Sequence, residues 1–267
     1  MMRYHIFDPT GNITALVESP LAPEKRRAAA DAIMARHPEV EQLGFVTLAD
    51  SAVSLRMAGG EFCGNAGMSA AALWLLARNE REGEEKSVSL RVSGAERPLC
   101  AALVRESESA FRASLPMPPA IGVERIGYRG AVLTLVRMQG ICHIIVERGC
   151  ALFSLLRERA EAERAVRQLC LALGAPCLGL LFLDGEAPQL SLTPLVFVPG
   201  SDTLFWENAC ASGSAAVATA LAGRAGGKLS LSLMQPGGTL RVERGPLSGE
   251  TILFGKTRLI GTYTYQE

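Results

Sequence analysis

The chain has 267 residues, 48% hydrophobic and 20% charged, and its 27 basic side chains are matched by 27 acidic ones. This is the composition of a soluble globular protein, and zero net charge argues against nucleic acid or an anionic membrane surface as a main partner. No apolar run is as long as a membrane span, the N-terminus has no signal-peptide core, and seven irregularly spaced cysteines are not a secreted disulfide framework, so a cytoplasmic protein is expected.

Apolar patterning predicts strands over residues 3–7 and 14–18, then a helix over 23–36 opened by Pro23. Strands follow at 44–48 and 53–57. A glycine-rich turn then carries Cys63, and a helix runs on to Ala77. Strands at 87–92 and 99–104 close the first half. The run Pro116-Met117-Pro118-Pro119 reads as a linker and divides the chain into lobes 1–117 and 118–267. The second half repeats the series. Strands at 132–137 and 143–147 precede a helix over 154–173 and a strand at 178–183. A strand at 190–198 leads to a second cysteine turn and a helix ending at Leu221, and strands at 228–234, 239–243 and 251–259 finish the chain.

The halves also match in sequence. Gly11-Asn12-Ile13-Thr14 parallels Gly140-Ile141-Cys142-His143, and Leu43-Gly44-Phe45-Val46 parallels Leu178-Gly179-Leu180-Leu181. Glu61-Phe62-Cys63-Gly64-Asn65-Ala66-Gly67 parallels Glu207-Asn208-Ala209-Cys210-Ala211-Ser212-Gly213. Three matches in one order point to a duplication. Both cysteine helices are nearly free of charge, and a helix apolar all round is buried. Each lobe is therefore expected to be an α/β (α+β) unit, a curved, mostly antiparallel sheet around a central helix.

A thiol at a helix start is biased towards thiolate, because unpaired backbone N–H groups and the helix dipole favour an anion. The same N–H groups can hold a carboxylate. Two such cysteines, one per half, point to two bases acting on one carbon. An isolated cysteine in this setting is often an inert core thiol, and Cys100, Cys142, Cys150, Cys170 and Cys177 take that reading. Cys142 and His143 are adjacent strand residues that face opposite ways, so they do not converge on a metal. No Cys-x-x-Cys is present and no zinc site is expected. Gly255-Lys256-Thr257 resembles the end of a phosphate loop, but the preceding glycine is misplaced and a strand follows.

Cys63-Gly64-Asn65, the Ala209–Ala215 segment around Cys210, Gly11-Asn12, Gln42 and His143 together resemble the diaminopimelate epimerase fold family of cofactor-independent amino-acid racemases. The resemblance covers essentially the whole chain. Met57–Cys63 looks like the histidine racemases of opine metallophore pathways, a branch of that fold. The resemblance implies Cys63 and Cys210 as the catalytic pair, with no cofactor and no metal. It implies Asn12, Gln42, Gly64 and Asn65 as substrate-binding residues in the first half. In the second half it implies Glu207, Ala211 and Ser212. The partner is a small amino acid, and a homodimer stays open. The family's distal arginine is absent between Asp202 and Cys210, which argues against diaminopimelate. Acceptors at Glu61, Glu207 and Gln42, with Phe62 and Trp206 as flat walls, suit an imidazole. Diaminopimelate epimerase or another amino-acid racemase, a phenazine-biosynthesis-like isomerase and a non-catalytic binder are the alternatives. Asn65 stands where the phenazine-type enzymes have a histidine.

Overall fold

A computed structural model of the chain describes residues 2–18, 21–225, 228–245 and 249–265. Contacts divide it into two units, Met1–Pro116 with Phe254–Glu267, and Met117–Leu253. The last strand thus returns to the first unit, a crossing that a single cut after residue 117 does not contain. No described helix is long and apolar enough to cross a membrane.

The first unit opens with β1 (Met2–Asp8), β2 (Thr14–Glu18), α1 (Pro23–Arg36), β3 (Gln42–Leu48) and β4 (Ala52–Met57). It continues with α2 (Gly64–Ala77), β5 (Glu85–Val92), β6 (Leu99–Arg105) and β7 (Ala110–Met117). Pro23 fits α1 because a first-turn residue has no N–H partner to lose. Only Ala29, Ala30 and Ile33 of α1 are buried, and they pack on Tyr4, Val17 and Phe45. The helix covers the outside of the sheet. In contrast, α2 is buried from Gly64 through Leu75 and packs against β2, β3, β4, β5 and β6.

The second unit contains β8 (Ala120–Tyr128), β9 (Ala131–Met138), β10 (Ile141–Glu147), α3 (Arg159–Ala172), β11 (Leu178–Glu186), β12 (Gln189–Val198) and β13 (Thr203–Trp206). α4 (Ala211–Ala225), β14 (Leu229–Gln235) and β15 (Gly238–Arg244) follow, and β16 (Thr251–Tyr265) ends the chain. Strand order here is β8-β9-β10-β11-β12-β14-β15, with β13 beside β12. The pairs β10/β11 and β12/β14 are parallel, as the intervening α3 and α4 require. α3 sends Ala162, Ala165, Val166 and Leu169 into a core with Ile144, Phe182 and Phe197. α4 packs on the other face, against β8, β9, β10, β14 and β15.

In the first unit the order β1-β2-β3-β4-β5-β6-β7-β16 closes on itself, because β1 pairs with β16 from Met2↔Tyr265 to Asp8↔Arg258. The fold is mixed α/β with an eight-stranded barrel. Closure leaves no strand edge bare. Buried His5 ties the seam: its Nδ1 lies 2.8 Å from Thr262 Oγ1 on β16 and its Nε2 bonds Glu18 on β2.

Three expectations need correction. The Pro116–Pro119 run is no open linker, since Pro116 and Met117 end β7 and only two residues precede β8. The alternation of buried Phe111, Ala113, Leu115 and Met117 is the strand signal there. The helix expected over 154–173 is two pieces. A 3-10 turn, Ala151–Leu156, precedes α3. Phe153 and Arg157 donate three residues back, to the carbonyls of Cys150 and Ser154. The final strand runs to Tyr265 because its second half pairs with β1.

The turn between β5 and β6 braces the loop that delivers Cys63. Ser93 Oγ donates to the Glu61 carbonyl at 2.8 Å, and Gly94 has φ 76°. A Cβ at 94 would lie 2.5 Å from Phe62 N. Gly94→Ala should destabilise the protein by about 1–3 kcal/mol. Urea unfolding that shows equal midpoints for the two proteins would refute this account of the turn.

Candidate active site

In the first unit, Cys63 is the N-cap of α2, and its sulfur accepts the Ala66 N–H at 3.3 Å. The thiol donates to Gln42 Oε1 at 2.5 Å. Gln42 reaches it because β3 starts opposite Thr14 in parallel register. The same register brings Asn12 beside Glu41, and Asn12 Nδ2 donates to Glu41 Oε2 at 2.8 Å. That bond leaves Asn12 Oδ1 buried without a partner among the described residues. Gly64 and Asn65 open α2 and are buried. Glu61 Oε2 is buried and unpartnered as well. Burial pushes the Glu61 carboxyl up, against the opposing pull of its own and the Gly59 backbone N–H groups.

In the second unit, the Cys210 sulfur accepts the Gly213 N–H at 3.3 Å and lies 3.6 Å from Ser212 Oγ. A Cβ at 213 would stand 3.1 Å from that sulfur, so glycine leaves the room it needs. Ser212 Oγ is 2.9 Å from Nε2 of fully buried His143. The backbone is clamped too. Cys210 N–H donates to Gln235 Oε1 at 2.7 Å, Gln235 Nε2 donates to Ser214 Oγ at 2.9 Å, and Ser214 Oγ donates to the Cys210 carbonyl at 2.7 Å. Glu207 is buried three residues ahead and interacts with the thiol. Ala211 starts α4 and is buried.

The electrostatics of Cys210 run against the bias expected of a helix start. Burial pushes this thiol well above its ordinary value, and the Glu207 charge and hydrogen bond push it further. Ser212 and the Gly213 N–H pull the other way and are outweighed. The helix start supplies donors for a thiolate but does not make it the resting form.

Trp206 is no wall beside Cys210. Its ring stacks on Phe182 at 5.9 Å, and its Nε1 donates to Glu163 on α3. Pairing with Leu195 turns it to the α3 face. Cys142 and His143 do face opposite ways: Cys142 joins the α3 core and His143 meets α4. Glu41, Ser214 and Gln235 escaped the sequence reading. Gln235 had a signal, since it follows Leu231 and Leu233 on the buried face of β14 and is the polar member of that row. No group of three metal-ligating side chains occurs among the described residues.

A family model described as the N-terminal domain of the histidine racemase CntK matches residues 1–251. The chain belongs to the histidine racemase family. It is therefore an isomerase of the racemase type. A histidine racemase of Fusobacterium nucleatum is 30% identical over 218 residues, which covers 79% of this chain and 77% of that one. A histidine racemase of Staphylococcus aureus is 25% identical over 233 residues, covering 81% and 78%. Among solved structures, a predicted epimerase from Pseudomonas aeruginosa superposes with a TM-score of 0.72 over the full length of both chains, at 17% identity. A probable proline racemase from Agrobacterium radiobacter gives 0.70 at 13% identity, covering 100% of this racemase and 93% of that chain. At such identities these two structures bear on the fold alone.

Burial holds the His143 imidazole at about 3, against an ordinary 6.5. Below pH 6.5 the unfolded racemase takes up a proton that folded His143 refuses until about pH 3, so this residue weakens the fold as pH falls through that window. His5, also lowered by burial, acts in the same direction. Replacing His143 by glutamine should flatten the fall of unfolding free energy between pH 6.5 and 3, read by urea titration at stepped pH. Parallel curves for the two proteins would contradict the burial of a neutral ring.

Proposed function

We propose that this protein racemises histidine without a cofactor, by two-base proton exchange through Cys63 and Cys210. The observation that carries the reading is a repeated one. In a chain of the histidine racemase family, each unit buries one thiol at the start of an apolar helix, with a backbone N–H on its sulfur. One sulfur, as thiolate, takes the α-proton, and the other, as thiol, gives its proton to the opposite face of the carbon. Each turnover leaves the two protonation states exchanged, so the enzyme meets the product enantiomer in the state that returns it. Charge that builds on the α-carboxylate is met by backbone N–H groups at the two helix starts.

The fold supports this reading at a finer level. We read the units as two lobes of one duplication, since each carries β-α-β crossovers and a buried cysteine helix, α2 or α4. The substrate-side roles proposed for Asn12, Gln42, Gly64 and Asn65, and for Glu207, Ala211 and Ser212, follow from the same pairing of motifs. Asn12 Oδ1 and Glu61 Oε2 are buried acceptors that want donors. An amino acid whose ammonium and ring both carry N–H groups supplies them, whereas a second carboxylate is repelled.

In deuterium oxide, L-histidine should gain α-deuterium and yield D-histidine, and diaminopimelate should turn over little or not at all. Activity should survive dialysis against chelator. Cys63→Ser and Cys210→Ser should each lower racemisation by about 10²–10⁴-fold. Turnover of diaminopimelate alone would overturn the substrate, and full activity in either serine variant would overturn the two-thiol chemistry.

A further inference from the structure

His143 is a buried titratable group that the two-thiol chemistry leaves unused. Its Nε2 meets Ser212 Oγ at 2.9 Å, while its Nδ1 has no partner among the described residues. His143 pairs with Gly179 in the parallel β10/β11 register, and a Cβ at 179 would fall 2.2 Å from Nδ1. Only glycine leaves space for the ring there, and no acceptor among the described residues reaches Nδ1. A neutral imidazole carries one N–H and one bare nitrogen. A buried N–H without an acceptor is costlier than an idle lone pair, so the proton belongs on Nε2 and is donated to Ser212 Oγ. Ser212 then keeps its own hydroxyl proton for another acceptor. Cys210 Sγ stands 3.6 Å away.

We infer that His143 is a positioning residue: by donating from Nε2 it turns the Ser212 hydroxyl onto the Cys210 sulfur and favours the thiolate form of that cysteine. The inference rests on the reading of Cys210 as an acid–base thiol, yet its test needs no turnover. The carboxylate that bears on Cys210 is Glu207, which favours the thiol, and Ser212 and the Gly213 N–H oppose it. Each protonation state therefore has its own partner. The thiol interacts with Glu207, and the thiolate accepts from Ser212 and Gly213. A reversed Ser212, donating to His143, would remove one of the thiolate's two donors.

The test is the rate at which iodoacetamide alkylates Cys210 at one mildly alkaline pH, read by peptide mass spectrometry. The rate follows the thiolate fraction. His143→Leu should slow it about tenfold, and His143→Gln, whose amide N–H reaches the same place, should restore it. Ser212→Ala should slow it by a like amount, and adding His143→Leu to Ser212→Ala should change nothing further. A merely structural histidine gives the opposite result, because its loss loosens the site and speeds alkylation. An unchanged or faster rate in His143→Leu, or further slowing in the double variant, overturns the inference. Should His143→Leu not fold, Gly179→Ala displaces the same ring and must slow alkylation in its place, and an unchanged rate there overturns the inference equally. Loss of racemisation in His143→Leu without slower alkylation counts against the inference and leaves the two-thiol reading intact.

Discussion

The rest of this structure depends on one constraint: a helix with no polar face must be enclosed, and its first N–H groups then lose water as a partner. α2 is buried from Gly64 to Leu75, and α4 is buried through its first turns. Both answer the constraint with sulfur. Cys63 accepts from Ala66, and Cys210 accepts from Gly213. A serine or asparagine cap is more common and would satisfy the same donors, but neither has a side chain as readily ionised as a thiol. The thiols proposed for chemistry are therefore also helix caps, and the strands that enclose each helix also keep its cap away from water. The clamp of Gln235 and Ser214 on the Cys210 backbone follows from the same need, since a buried carbonyl and N–H at a helix start must be paired locally.

What could be read from the sequence was what local chemistry decides. Pro23 opens α1 and the buried alanine-rich helices follow each cysteine, because a ring-fixed φ and an unbroken apolar run act within a few residues. Thr14–Glu18 reads as a strand for the same reason. Local chemistry misled where two signals compete. At Pro116–Pro119 the prolines masked the alternation that makes β7, and at Ser154 a continuous helical pattern hid a break at Arg157 and Glu158. Long-range facts were out of reach. Gln42 could be named from its neighbours, but its bond to Cys63 needs the parallel register of β2 and β3. Glu41 has no sequence signal, because its role comes only from being placed beside Asn12. The direction of Trp206 depends on its register opposite Leu195 on β12.

The two cysteine sites repeat in sequence but differ electrostatically. The Cys63 thiol donates a hydrogen bond to the neutral amide oxygen of Gln42, whereas Cys210 faces the carboxylate of Glu207. A racemase does not need matched bases. Its two enantiomers are equal in free energy, so the ratio of kcat/KM in the two directions is fixed at unity whatever the bases are. Asymmetry between the thiols can appear only in how each enantiomer's kcat and KM divide that common value. Gln42 offers the Cys63 thiol a neutral acceptor, while Glu207 resists a thiolate at Cys210. In the proposed two-thiol reaction the Glu207 charge makes ionisation of Cys210 costlier, so the enantiomer served by that sulfur draws on a form the free enzyme holds less readily. At Cys210 the Ser212 hydroxyl and the Gly213 N–H are the groups that oppose this cost. The two motifs thus share the geometry of the cap while the residues around them set the two thiols in unequal electrostatic surroundings.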